Sequence, residues 1–216
     1  MEAPRLEIPA DVTPKSFYEE LLPRFFQENR ARAQSAAPQA SQINAAIRAV
    51  VEGEGGGTWT LRLSGGDFAV TANGEGDAVV TFVQTREDWQ VTINRGLGAL
   101  LTKIGSWGSA PPAPPTPGKP SMNLTPAKIE RIKAMKVVMK IEITGFEGRS
   151  LRLAMLTGAS QDGVAPAANI TMTAADFNDM VAGKLPIQQA MMGGKVKLTG
   201  PGGPFAMQLG LVLMAP

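Results

Sequence analysis

Apolar residues recur along this chain in two alternating modes, and the order of those modes repeats. Thr13-Pro14 places a hydroxyl before a proline, the pairing that opens a helix. Phe17, Leu21 and Phe25 then recur every fourth residue, flanked by Tyr18, Leu22 and Phe26. Pro23 falls inside this run and predicts a kink. Thr125-Pro126 opens a second helix in the same way, with Ile129, Ile132 and Met135 on its apolar stripe. After each helix the period changes from that of a helix to that of a strand. Ala46–Gly53, a glycine-rich turn and Thr58–Leu63 predict a hairpin, and Val138–Gly145 followed by Ser150–Leu153 predicts another.

The correspondence extends beyond the hairpins. Leu-Arg-Leu occurs at 61–63 and again at 151–153, an offset of 90 residues. The segments Ala78–Trp89 and Ala168–Phe177 each read as a strand running into a helix, and Thr-x-x-Asp-aromatic recurs at 85–89 and 173–177. In that box the threonine caps the helix while the aspartate reaches back toward the cap amide, so Asp88 and Asp176 are read as capping groups. Trp89 and Phe177 fall where a helix face meets the sheet, which assigns them to packing.

Residues 111–120 contain six prolines, which deny the backbone both helix and ladder hydrogen bonds, so 109–121 reads as a linker between halves at 1–108 and 122–216. The first flank carries 10 basic and 13 acidic side chains and the second 11 and 6, giving −3 and +5. Opposite signs favour docking of one half on the other, whereas the overall charge of +2 is too small for a nucleic-acid binder. Cysteine and histidine are both absent, which excludes disulfides, thiolate nucleophiles, most zinc sites and imidazole acid–base chemistry. The N-terminus lacks the apolar run of about 7–15 residues that a signal peptide needs, and no stretch of about 18 apolar residues is present. The expectation is a cytoplasmic protein.

The run Ile170–Leu185, then Gln189–Gly200 and Gly203–Leu209, resembles the sterol carrier protein type 2 family, most strongly over 165–210. The first half resembles a more divergent copy, sharing the Thr-Pro helix, the Gly55–Thr60 turn and the strand into Asp88-Trp89. It has no counterpart of the Gly-Lys-Val-Lys-Leu segment at 194–198, so it lacks a last strand of its own. The resemblance implies an α+β fold with a mostly antiparallel five-stranded sheet, helices on one face and an apolar tunnel for lipids. The two repeats would then pack as an internal pseudo-dimer.

A lipid carrier binds by non-directional burial, about 25 cal/mol per Å², and adaptable methionines suit such walls. Nine of the eleven methionines lie beyond residue 122. Phe177, Met180, Val181, Leu185, Ile187, Met191 and Met192 form the collective candidate wall. Phe205, Met207 and Leu211 in the closing segment are candidates for a lid. No paired carboxylates, Ser/Lys dyad or phosphate loop is persuasive: Gly53–Gly57 lies between two strands, and Gly193-Gly194-Lys195 lacks the P-loop spacing. Asp176 and Asp179 alone make a weak cation site. Lys133, Lys136, Lys140, Lys195 and Lys197 read either as a basic patch for lipid headgroups or as an ordinary solvated face. The reading is therefore non-enzymatic and free of cofactor or metal. It binds and transfers a fatty acid, fatty acyl or sterol-like molecule, with transient membrane contact, as a monomer or homodimer. The alternative is an interaction module whose apolar groove holds a partner segment or the other repeat.

Overall fold

The computed structural model describes residues 6–30, 43–74, 76–94, 125–146, 148–158, 164–182 and 184–214. The proline-rich segment 109–121 lies outside them. In chain order the elements are α1 (Pro14–Ser16), a π-helical turn (Phe17–Leu21) and α2 (Leu22–Glu28). Then come strands β1 (Asn44–Glu52), β2 (Gly57–Ser64), β3 (Asp67–Ala72) and β4 (Val80–Thr85), and helix α3 (Arg86–Thr92). The second half runs α4 (Pro126–Met135), β5 (Val138–Phe146), β6 (Arg149–Thr157), β7 (Ala167–Thr173), α5 (Ala174–Val181), α6 (Ile187–Met192), β8 (Val196–Thr199) and α7 (Gly203–Met214).

Both opening helices start as their sequence predicts. The Thr13 hydroxyl accepts from the Ser16 amide at 3.1 Å and that of Thr125 from Lys128 at 3.3 Å, with proline at the first helical position in each. Pro23 is accommodated by the π-helical turn before it, where the Leu22 amide reaches the Phe17 carbonyl five residues back. A proline has no amide to donate, and the wider turn shifts the hydrogen-bond register just ahead of it.

The two halves pair their strands to the same plan. β1 is antiparallel to β2 and parallel to β4; β5 is antiparallel to β6 and parallel to β7. The five-stranded sheet expected from the resemblance is corrected by a single sheet of eight strands in the order β3-β2-β1-β4-β6-β5-β7-β8. The junction is the antiparallel pairing of β4 with β6, Val80 to Val83 against Thr157 to Ala154. Among the described residues, the first half adds no further strand of its own beside β4. β6 takes the place beside β4 that β8 takes beside β7, and both run antiparallel to their neighbour.

Strand alternation puts most apolar strand positions on one side, with Val138 and Leu156 buried on the other. Trp59, Ala49, Phe82, Met155, Met139 and Ala168 are successive partners across the sheet and so share a face. The helices pack there, as expected. The first half is sealed by aromatic rings. Phe17 and Trp89 are fully buried, Tyr18 stacks on Trp59 with centroids 4.8 Å apart, and the Trp89 indole N–H donates to the Tyr18 hydroxyl at 3.2 Å. A second core is shared by both halves, with Ile43 and Val79 packed among Ile129, Ile132, Met139, Ala168 and Leu209.

Burial pushes the Tyr18 hydroxyl up to about 12, the hydrogen bond from Trp89 offsetting this in part. A raised folded-state value means stability that is complete below the ordinary tyrosine range near 10 and lost as pH climbs through 12. Tyr18 is the only tyrosine, so ultraviolet titration reads it alone. Tyrosinate absorbance should stay absent at pH 10.5 to 11, where about half or more of an exposed tyrosine has ionised, and should rise together with unfolding. Normal titration in the folded state would contradict the buried placement.

Candidate functional site

The capping boxes hold the two helices that frame the apolar face of the second half. Thr173 accepts from the Asp176 amide at 3.1 Å and Thr85 from the Asp88 amide at 3.2 Å. Each aspartate carboxylate then accepts from the hydroxyl of its own threonine, at 2.7 Å for Asp176 and 3.0 Å for Asp88, in place of the expected reach to the cap amide. Each also meets a cation brought by the neighbouring strand. Lys195, just before β8, lies 3.1 Å from Asp176, and Arg149, the first residue of β6, lies 3.4 Å from Asp88. Asp176 is thus committed to its cap and to Lys195, and the described residues contain no group of three or more metal-ligating side chains.

The expected wall residues divide into three sets. Phe177, Met180, Leu185 and Met191 come together, half-buried, against a core of Ile143, Leu151, Met172, Ala190 and Val196. Met192 is 85% exposed, and Phe205 and Met207 also face solvent, so these three stand outside that cluster. The side chains of Val181, Ile187 and Leu211 lie outside the described residues. On α7, Ala206 and Leu209 turn inward onto the shared core, which places Phe205 and Met207 on its outer side.

Positions missed by the periodicity of the helices come from the strands beneath. Ile141, Ile170 and Leu198 are half-buried on the helix-bearing face, and Ile170 touches both the core under α5–α6 and the core under α7. They form an incompletely covered apolar strip between the two helical groups. Their alternation with Lys140, Asn169 and Lys197 is the signal that marks their side of the sheet. The same alternation divides the supposed lysine patch. Lys140 and Lys197 leave the opposite face, Lys133 lies 3.6 Å from Glu130, and Lys195 is held by Asp176.

A second feature lies at the junction of the halves. A cleft of about 1060 Å³ opens between the β1–β2 turn, the start of α3 and the start of β6, and Arg86, Gln90, Val91 and Arg149 line it. The Arg149 guanidinium donates to the Glu87 carbonyl at 2.8 Å, and that of Arg86 donates to the Glu54 carbonyl at 3.2 Å. Gly55 has φ +70°, and a β-carbon there would collide with the Arg86 guanidinium, so the turn needs glycine for both conformation and space.

Residues 122–213 match the model of the SCP-2 sterol transfer family. No curated protein matches the chain. The matched segment contains the strip and Arg149 but none of the first half's share of the cleft.

The hydrogen bond from Thr173, followed by that from Lys195, holds the Asp176 carboxyl below its usual range. A lowered folded-state value contributes stability above the ordinary aspartate range and loses it as pH falls through the folded value. D176N should therefore unfold at a lower temperature than the parent chain at pH 7, and the difference should close as pH drops below about 4. A difference that persists unchanged down to pH 2 would rule out the ionic origin of the cap.

Proposed function

We propose, from the premise that residues 122–213 belong to the SCP-2 sterol transfer family, that the protein is a non-enzymatic carrier of a hydrophobic molecule. A fatty acid, acyl chain or sterol-like lipid would lie in an apolar tunnel over Ile141, Ile170 and Leu198. Helices α5 and α6 would form one wall and α7 the other. The observation that carries this reading is the contrast between the halves. Phe17, Leu22, Trp89 and Ile93 are at most 1% exposed in the first, where Leu61, Phe68 and Val70 toward the sheet's edge are half-buried, whereas the second leaves Ile141, Ile170 and Leu198 half-covered between its helices. Apolar surface left partly wet is where burial of a guest yields free energy, about 25 cal/mol per Å².

The same contrast supports one ligand per chain. We read the halves as two copies of one plan joined edge to edge, an internal pseudo-dimer in which the aromatic copy is structural and the methionine-rich copy binds. Partitioning drives uptake, with no bond made or broken: contacts between the lipid tail and water are exchanged for contacts with side chains that adapt their shape.

Native mass spectrometry of protein purified without detergent should show at most one lipid per chain, and delipidated protein should take up a neutral fluorescent lipid probe with the same stoichiometry. Met191→Asp, which places a charge in the wall, should weaken uptake at least tenfold with the fold retained. Met192→Asp, on the exposed neighbour, should leave uptake unchanged. Failure of the parent chain to take up any apolar probe would overturn the proposal.

A further inference from the structure

The cleft at the junction exists only because two halves meet: Arg149 comes from β6, while Glu54, Gly55, Arg86, Gln90 and Val91 come from the first half. Its volume of about 1060 Å³ is ample for a polar headgroup and the first part of a chain. Its chemistry is graded. Val91 lines the cleft and also packs against the core of Ile143, Leu151 and Met172, the core on which Phe177, Met180 and Met191 gather. The cleft therefore borders the apolar cluster through Val91 and carries two guanidinium groups in its lining.

Those guanidiniums are fixed by main-chain acceptors rather than consumed by them. Arg86 donates to the Glu54 carbonyl and Arg149 to the Glu87 carbonyl, each through a single nitrogen, and each group carries five N–H donors. Asp88, buried at 8% exposure, offsets the charge of Arg149 across one 3.4 Å contact. Glu52, Glu54 and Glu87 also line the cleft, with their side chains exposed, where water screens them. Arg86 is half-buried and makes no salt bridge among the described residues. A guanidinium held in this way presents a planar fork that matches a carboxylate.

We propose that this cleft is a headgroup subsite, supplied largely by the first half, which selects amphiphiles bearing a carboxylate by pairing it with Arg86 and Arg149 while the tail passes Val91 into the second half. The proposal rests on the carrier reading and deepens it. It gives the aromatic half a part in recognition that the family-matched segment alone cannot fill.

The test uses the full chain and displacement of Nile red, a neutral probe, by palmitate, 1-hexadecanol and hexadecylamine. Palmitate should compete about tenfold better than the alcohol. R86Q should erase that preference by weakening palmitate about tenfold, and it should leave the alcohol and Nile red unchanged. Arg149 also holds Asp88, so R149K, which keeps the charge and loses the fork, serves as its variant, with thermal unfolding as the check on folding; it should narrow the preference in the same direction. Equal competition by palmitate and the alcohol, stronger competition by the amine, or a preference untouched by R86Q would overturn the headgroup subsite while leaving the carrier reading standing. Absence of Nile red binding and of all competition would instead overturn the carrier reading itself.

Discussion

Four residues of β4 paired with four of β6 hold this molecule together as one sheet. Two smaller sheets, each with an exposed edge, would present rows of unpaired amides and carbonyls to solvent, a standing invitation to pair with other chains. Joining those edges removes both. It also fixes the relative position of everything mounted on the strands. The Gly158 amide donates to the Val79 carbonyl at 2.9 Å just past the ladder, and the Gln84 side chain reaches the Arg152 carbonyl at 3.4 Å and the Thr92 hydroxyl at 2.7 Å. The last bond ties helix α3 to the same junction. A buried glutamine is costly unless its amide is satisfied, so these bonds specify the register as well as stabilising it.

From that constraint the division of labour between the halves follows. A shared core spans the junction: Ile43 and Val79 pack with Ile129 and Ile132, just as Val91 of α3 rests on the core of Ile143 and Leu151. The first half then adds a rigid cluster of Phe17, Tyr18, Trp59 and Trp89 in edge-to-face and stacked contacts. Rings held in such geometry have few alternative packings. The half-buried Met180 and Met191 of the second half have three rotatable bonds each and adapt more readily to their surroundings.

Much of this was legible in the sequence because the governing signals are local. Thr-Pro and Thr-x-x-Asp fix helix starts through hydrogen bonds within four residues, and both hairpins lie where alternation and glycine turns put them. The count of strands in the sheet was not legible. Whether a strand edge is free or occupied depends on a pairing between residues some 70 positions apart, and the seam pair Val83 and Ala154 carries no mark of it in either segment. Among the expected wall residues, periodicity put Phe177, Met180, Leu185 and Met191 on one apolar core, while Met192 was grouped with them because a run of apolar residues does not reveal where a helix ends. Helix α6 stops at Met192, and Gly193 and Gly194 carry the chain away, so that side chain points into solvent.

The duplicated pairing of aspartate with a cation shows how the junction reproduces, between halves, a contact that the second half makes within itself. Asp176 meets Lys195 at the start of β8, and Asp88 meets Arg149 at the start of β6. In both cases the strand paired antiparallel beside β4 or β7 delivers a positive charge to the capping aspartate of the helix that follows that neighbour. The partner of Asp88 is an arginine, and its reach is greater: it also bonds the Glu87 carbonyl at 2.8 Å. Lysine offers a compact point charge at one position, whereas the arginine fork satisfies two acceptors and retains further donors. The replacement strand has thus brought a second functional group to the same structural station. The cleft is lined by that group because the seam places β6 on the side of β4 opposite β1.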